Sequence, residues 1–182
     1  MRTKICFVIA CTFFVQIVSA QTFGIKGGIN FANMTYSGSG VSGSETWMTG
    51  FHLGLVADFK LQEQLYFNTG LLYSMKGAGS DALSYLEIPL NVAYKFSTNK
   101  TSDFFIQSGP YLAYDVTIFG GSMKRFDFGL GFGAGVQFSS IVTSLNYELG
   151  LANLNDNSYP EPVKRKNKVL QISVAYMFGS KK

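Results

Sequence analysis

A stretch of strict alternation from Arg125 to Phe138 constrains the fold most strongly. One set of alternate positions holds Arg125, Asp127, four glycines and Gln137, whereas the other set is entirely apolar. A period of two is typical of a β-strand, but these fourteen residues exceed the length of about 5–6 residues that is common in soluble proteins. A tilted strand that crosses a bilayer needs roughly 9–11 residues with apolar side chains toward lipid. The stretch therefore predicts a transmembrane strand.

The same alternation recurs in other parts of the chain. It occupies segments 22–33, 49–59, 65–76, 83–96, 104–116, 141–151 and 168–178. Together with 125–138 these segments give an even number of strands, which lets an antiparallel sheet close without exposed edges, as hydrocarbon requires. The sequence predicts an all-β fold, an eight-stranded antiparallel up-and-down transmembrane β-barrel formed by residues 21–182.

The first twenty residues predict a secretory signal peptide. Arg2 and Lys4 precede an apolar run, and Val18-Ser19-Ala20 provides small residues for cleavage before Gln21. A stretch ending at Cys11 loosely resembles a lipoprotein cleavage box, but the apolar run continues beyond it, which favours cleavage after Ala20. Both cysteines then leave with the signal, so the mature chain can have neither disulfides nor a cysteine nucleophile.

The connections predict how the barrel is oriented. Segments 34–48, 77–82, 117–124 and 152–167 alternate with the shorter connections 60–64, 97–103 and 139–140. Outer-membrane barrels have short periplasmic turns and longer external loops, so both termini are expected on the periplasmic side. We also expect loop 34–48, which is rich in glycine and serine, to be mobile.

Glycines decide which face points inward. The four glycines of 125–138 share a face with Arg125 and Asp127, and they would leave room in a narrow lumen for Tyr66, Tyr85 and Tyr111. The apolar face is therefore expected to meet lipid. An outward charged face, as in a soluble lipocalin-type barrel, would gain nothing from a row of glycines.

Several motifs resemble the PorT-like outer-membrane β-barrel family of Bacteroidota. They are the start Phe23-Gly24-Ile25-Lys26-Gly27-Gly28, the strand Tyr85-Leu86-Glu87-Ile88-Pro89-Leu90, Gly109-Pro110-Tyr111, and the glycine-alternating strand 128–138. The resemblance implies a barrel in the outer membrane of a Gram-negative cell, and it brings no catalytic residues. The end of the chain also resembles the signal read by the barrel-assembly machinery, in Gln171, Ser173, Tyr176 and Phe178, although serine replaces the usual glycine.

The expected inward face carries charges of both signs. They are Lys26, Asp58, Lys76, Glu87, Lys95, Asp115, Arg125, Asp127 and Glu148. Charges buried in a lumen as narrow as eight strands allow must be paired, so we expect a structural network that fills the barrel. Glu87 is expected to pair with Lys26, Lys76, Lys95 or Arg125. An ion or solute path is the alternative.

His52 is the only histidine, and it raises the question of an enzyme. Ser74 lies near the same level on the next predicted strand, so a barrel lipid hydrolase would use this pair. No fixed motif supports that role, and we expect no catalytic residue and no cofactor. A single histidine with scattered carboxylates also lacks the spacing of a metal site.

The basic residues suggest a lipid partner rather than a nucleic acid. Lys164-Arg165-Lys166 falls in the predicted loop 152–167 beside Pro160 and Pro162. A solvated loop is the simpler interpretation, and contact with lipopolysaccharide phosphates of the outer leaflet is the functional one. Without Arg2 and Lys4 the net charge is only +2, and no basic helix with interleaved aromatics suggests nucleic acid. The sequence thus predicts a small barrel with a structural or interaction role, with a small-solute pore or a lipid hydrolase as alternatives.

Overall fold

The computed structural model describes residues 21–38, 41–79, 81–97, 102–117, 124–155 and 164–178, and these contain strands and connections. The strands are β1 (Gln21–Gly38), β2 (Val41–Ser44), β3 (Met48–Lys60), β4 (Leu65–Ala78), β5 (Asp81–Ser97), β6 (Ser102–Asp115), β7 (Phe126–Phe138), β8 (Ile141–Gly150) and β9 (Lys164–Phe178). In these ranges no helix is long and apolar enough to cross a bilayer. The predicted signal peptide, 1–20, lies outside the described residues.

All long strands form one closed antiparallel sheet. Each strand from β3 to β8 pairs with the next along the chain, and β1 pairs with β3. The sheet closes where β1 pairs with β9, from Phe23↔Phe178 to Ser37↔Lys164. The short strand β2 only prolongs the hairpin beyond the end of β1. The predicted eight-stranded antiparallel barrel is confirmed.

The alternation places apolar side chains outside, as predicted. On β7, Phe126, Phe128, Leu130 and Phe132 are 40–51% exposed, whereas Asp127 is fully buried. The other strands repeat the outward apolar pattern, and their inner faces combine polar and small residues with buried larger ones such as Leu72, Tyr85 and Phe105. Aromatic pairs pack edge to face on the outer surface near strand ends, including Tyr94–Phe96 and Tyr176–Phe178. This outer belt is the surface that a bilayer would cover.

We call the end that holds Gln21, Phe178 and the connection 61–64 the turn end, and the opposite end the loop end. At the loop end, strands extend further than predicted. β1 continues to Gly38 and pairs with β2, within the loop predicted as 34–48, and β9 begins at Lys164, within the predicted loop 152–167. Both predictions were wrong because the outward positions of these extensions are polar, so no lipid-facing apolar alternation marks them.

The predicted loop 77–82 is instead a tight hairpin. Ala78 pairs with Asp81, which leaves only 79–80 as the connection, and Gly79 adopts a left-handed φ of +58°. A side chain is unfavourable in that region of backbone space, so glycine suits this turn. The long connections at the loop end are therefore fewer than expected. Residues 118–123 and 156–163, with Pro160 and Pro162, lie outside the described residues.

An apolar cluster fills the barrel near the loop end. The connection after β8 turns inward, and the Leu154 side chain is fully buried while its amide donates to the Arg165 carbonyl (2.9 Å). The members of this mouth cluster are Met34, Ala78, Leu83, Tyr85, Tyr111, Ala113, Ala152 and Leu154. The cluster excludes water from the loop-end mouth of the barrel.

Two glycines on the inner face of β7 differ sharply in the space around them. A Cβ built at Gly129 would lie 2.7 Å from Cε1 of Tyr111 and closer still to the Leu149 carbonyl, whereas a Cβ at Gly131 meets nothing nearer than 3.7 Å. We expect Gly129→Ala to destabilise the barrel by roughly 1–3 kcal/mol, the usual cost of overpacking, and Gly131→Ala to be nearly neutral. Urea unfolding of both variants in phospholipid vesicles is the measurement. Equal stability would contradict the close packing of Tyr111 on Gly129.

Candidate functional site

The centre of the lumen is occupied by Lys76 and two carboxylates, which we call the central cluster. Lys76 Nζ forms ion pairs with Glu87 on β5 and with Glu148 Oε2 on β8, the latter at 2.7 Å. Lys76 and Glu87 are fully buried and Glu148 is nearly so. The expected inward partner of Glu87 is thus Lys76, and the ammonium bridges strands on opposite sides of the lumen.

Two tyrosine rings close the space around the central cluster. Lys76 Nζ lies 4.6 Å from the ring centre of Tyr111 and 5.9 Å from that of Tyr85. Both rings are at most 2% exposed and also belong to the mouth cluster. Above Tyr111, Asp127 Oδ2 accepts hydrogen bonds from Asn167 Nδ2 (2.8 Å) and from the Tyr111 hydroxyl (3.4 Å). Side chains therefore fill the loop-end half of the lumen.

A second group of charges lies toward the turn end. Lys95 Nζ lies 3.2 Å from Asp58 Oδ2, donates to Gln137 Oε1 (2.9 Å), and lies 4.0 Å from the ring centre of Tyr66. Asn68 Nδ2 donates to the other Asp58 oxygen at 2.9 Å. The two ion-pair side chains remain 11% and 13% exposed. This group is therefore less desolvated than the central cluster.

Between the two groups the lumen holds a small cavity. Its volume is about 60 Å³, and Lys26, Asn91, Gln107 and Ser144 are among its lining residues. At about 10–15 Å³ for each water centre, it has room for roughly four to six waters. Lys26 lines both this cavity and a smaller one beside the central cluster. Lys26 forms no ion pair within the described residues.

Two of the predicted inward charges lie apart from these groups. Asp115 ends β6, where its Oδ1 accepts from the amide of Thr117 (2.8 Å) and from the Thr117 hydroxyl (2.5 Å). Arg125 is exposed and precedes the first residue of β7. The alternation alone placed both in the lumen, but neither contacts the central cluster.

His52 lies in a buried polar cluster at the closing seam. Its Nδ1 lies 2.7 Å from Asn30 Oδ1 and its Nε2 lies 2.9 Å from Ser173 Oγ. Asn30 Nδ2 donates to the Met75 carbonyl (2.9 Å) and to Ser74 Oγ (3.0 Å), so its Oδ1 faces the imidazole. The Nδ1 therefore carries the proton, and Nε2 accepts from the Ser173 hydroxyl.

The hydrogen bonds from Ser173 to His52 and from His52 to Asn30 match the serine–histidine–amide arrangement of some hydrolases. A substrate, however, has no access to these residues. His52 pairs with Ser74 in the β3–β4 register, as the predicted levels implied, yet the imidazole binds Ser173 instead. Ser173 is 2% exposed, His52 is 1% exposed and Asn30 is fully buried. A nucleophile must reach its substrate. The cluster is better suited to tying β9 to β1, β3 and β4.

Sequence reasoning missed several groups that fill the lumen. Phe105 points inward against Gly135. Met34 and Leu154 lie in segments predicted as loops. Phe105 is separated from the inward residues of β6 by an even number of positions. This spacing was the available signal for the direction of its side chain. No signal marked Leu154, because it lies outside the alternating segments.

Comparison with known proteins agrees with this architecture. A family model described as "Outer membrane protein beta-barrel domain" matches residues 19–156. The chain belongs to this family. The matched range covers β1 to β8, and the protein is accordingly a small outer-membrane β-barrel.

Solved structures show the same fold at low sequence identity. Neisserial surface protein A is 20% identical with a TM-score of 0.55, covering 86% of this chain and 97% of that chain. OprG from Pseudomonas aeruginosa is 15% identical with a TM-score of 0.52, covering 87% and 96%. The outer membrane enzyme PagL is 16% identical with a TM-score of 0.51, covering 86% and 99%. Comparison with curated protein sequences gives no match.

Proposed function

We propose that this protein is a sealed outer-membrane barrel with a structural or interaction role, in which the loop end is the variable surface outside the cell. The observation that carries the proposal is the filled lumen. The mouth cluster, which includes Tyr85 and Tyr111, is followed along the barrel axis by the central cluster. Eight strands enclose a lumen that side chains can fill, so no wide path for solutes is expected.

The cavity between the two groups of charges fits this proposal, because it opens toward one end of the barrel and is closed toward the other. Its lining includes Asp58, Asn68, Lys95 and Met177, all near the turn end. We infer that the turn end faces the periplasm, because short turns lie there in outer-membrane barrels. The cavity then fills with periplasmic water and ends at the central cluster. It makes the barrel water-accessible from one side without making it a pore.

Further parts of the proposal concern the processing and assembly of the protein and its membership of a narrower family. We propose cleavage after Ala20, recognition of the last strand by the barrel-assembly machinery, and membership of the PorT-like group within the outer-membrane barrel family. The supporting features are the apolar run before Ala20 and the aromatic pair Tyr176–Phe178 on β9. Mass spectrometry of the mature N-terminus tests the cleavage site, and an N-terminus at Cys11 would contradict it.

Planar-bilayer recording tests the sealed lumen. The purified, refolded protein should show no steady conductance, because the central cluster and the mouth cluster block the axis. Heat-modifiable gel mobility of the same sample would verify that the barrel is folded. A steady and large single-channel conductance would overturn the proposal in favour of a small-solute pore.

A lipid hydrolase is the second candidate, and the contact between His52 and Ser173 is the observation that favours it. The burial of both residues argues for a structural role instead. The folded protein should release no fatty acid from mixed lipid vesicles. Release that is abolished by both His52→Ala and Ser173→Ala, and kept by Ser74→Ala, would establish an enzyme.

A further inference from the structure

Three lysines form a row on the outer face of β9. The inward positions of this strand, from Asn167 to Met177, are at most 7% exposed, so Lys164, Lys166 and Lys168 share the outward phase with Ile172, Val174 and Tyr176. The outward positions of the other long strands carry no charged residue in the described ranges. This row, which we call the lysine ridge, is therefore a local departure from an apolar outer surface.

The ridge begins where the apolar belt ends. On β9 the belt runs from Leu170 to Phe178, which at about 3.4 Å per residue is roughly 27 Å along the strand. A tilt of about 35–45° reduces this length to roughly 20 Å of height, close to the apolar band of outer-membrane barrels. Lys168 pairs with the outward Leu149 on β8 and lies one step beyond Leu170. The ridge is thus at the level of lipid headgroups.

Hydroxyl side chains on β1 and β2 flank the lysine ridge on one side. Lys166 pairs with Thr35, which pairs in turn with Ser44, and Lys164 pairs with Ser37, which pairs with Ser42. Directly opposed residues of antiparallel strands present their side chains on the same face. Two rows across β9, β1 and β2 therefore each combine one ammonium group with two hydroxyl groups.

The ridge has no acidic partner in the described part of the chain. The neighbouring Arg165 has the opposite phase and lies 3.7 Å from Glu45. None of the three lysines forms an ion pair within the described residues, in contrast to Lys76 and Lys95. Three cations at headgroup level, without an acidic partner among the described residues, favour the binding of anions.

We propose that the lysine ridge binds the phosphates of a phosphorylated glycolipid in the outer leaflet. The ammonium groups would bind the phosphates, the flanking hydroxyls would hydrogen bond to sugar or phosphate oxygens, and the apolar belt from Leu170 onward would contact the acyl chains. This inference rests on the proposed orientation of the loop end. It differs from the sequence-based expectation, which placed Lys164, Arg165 and Lys166 in a loop.

Native mass spectrometry of the barrel in mixed nanodiscs tests the proposal. The nanodiscs would contain phosphatidylcholine with either bisphosphorylated lipid A or its dephosphorylated form. The wild-type protein should retain the phosphorylated form preferentially. With about 1 kcal/mol per lysine near the surface, replacing all three lysines by glutamine should weaken retention by about a hundredfold at low salt.

Two further variants control for charge and folding. The triple variant with arginine at 164, 166 and 168 should keep the preference for phosphorylated lipid A. Replacing Lys60, Lys124 and Arg125 by glutamine removes three exposed cations elsewhere and should leave retention unchanged. Heat-modifiable mobility would verify the barrel in each case. Equal retention of both lipid A forms by the wild-type protein, or equal losses in the two glutamine triples, would overturn the proposal.

Two additional arms separate this inference from the assumptions beneath it. Full displacement of lipid A by inorganic phosphate at equal concentration would mean that the ridge takes free phosphate, which contradicts a lipid site. Labelling of Ser42→Cys by an impermeant maleimide on intact cells should succeed if the loop end is outside. Failure of that labelling in a folded barrel would refute the outward orientation of the loop end, and with it an outer-leaflet ligand. Conductance in the planar bilayer alone would refute only the sealed lumen.

Discussion

Lys76→Met should destabilise the barrel by about 3–5 kcal/mol, the usual cost when a buried ion pair loses one partner. The substitution keeps an aliphatic side chain but removes the cation that contacts both Glu87 and Glu148. Two buried carboxylates would then lose their ion-pair partner. Urea titration in phospholipid vesicles, followed by the fluorescence of the single tryptophan, Trp47, measures the change.

Matched variants locate this effect in the central cluster. Lys95→Met breaks the more exposed ion pair with Asp58 and should cost less. Glu87→Gln should also cost less, because Lys76 retains Glu148 and the remaining pair is neutral. Equal unfolding free energies for wild-type and Lys76→Met proteins would contradict the bridging role of Lys76.

The same variants bear on the sealed lumen. Carboxylates released from Lys76 repel each other, so we expect Lys76→Met to admit water and to produce noisy conductance where the wild-type protein is silent. Leu154 and the mouth cluster would still cover the loop end, which limits the size of the leak. A silent but destabilised variant would assign the seal to the mouth cluster rather than to the ion pairs.

The strands and the inward or outward direction of their side chains were predictable from the sequence, because both depend on a period of two. The apolar alternation marks the span of each strand in hydrocarbon, so the segment 125–138 agrees with β7 within one residue. The apolar alternation fades beyond the lipid, where the outer face meets water. The ends of β1 and β9 were therefore missed by five and four residues, respectively.

Contacts inside the lumen were less predictable than the direction of each side chain. That Lys76 and Glu87 face inward follows from local alternation. Their meeting with Glu148 follows from the relative shift of strands across the whole barrel, which depends on every pairing register. The same reasoning applies to His52, whose neighbour Ser74 is visible in the hairpin but whose partner Ser173 is brought close only when β9 closes on β1.

Leu130→Arg should destabilise the barrel in a bilayer by about 2–4 kcal/mol, the range for a basic residue near the midplane. Leu130 is 40% exposed on the apolar face of β7, between Pro110 on β6 and Leu149 on β8. An arginine at this position must leave water for hydrocarbon or distort the bilayer to reach its headgroups. The urea titration in phospholipid vesicles also suits this variant.

Phe138→Arg is the comparison that isolates depth, because Phe138 is the last residue of β7 on the same face and is 53% exposed. Arginine near the membrane interface costs only about 0–1 kcal/mol. Arginine at Gln137 would be a less suitable control, because Gln137 accepts a hydrogen bond from Lys95 and a second cation would be placed beside the first. Equal penalties at 130 and 138 would contradict a lipid-facing β7 whose middle lies in hydrocarbon, whereas a graded penalty would support both the facing and the depth of the strand.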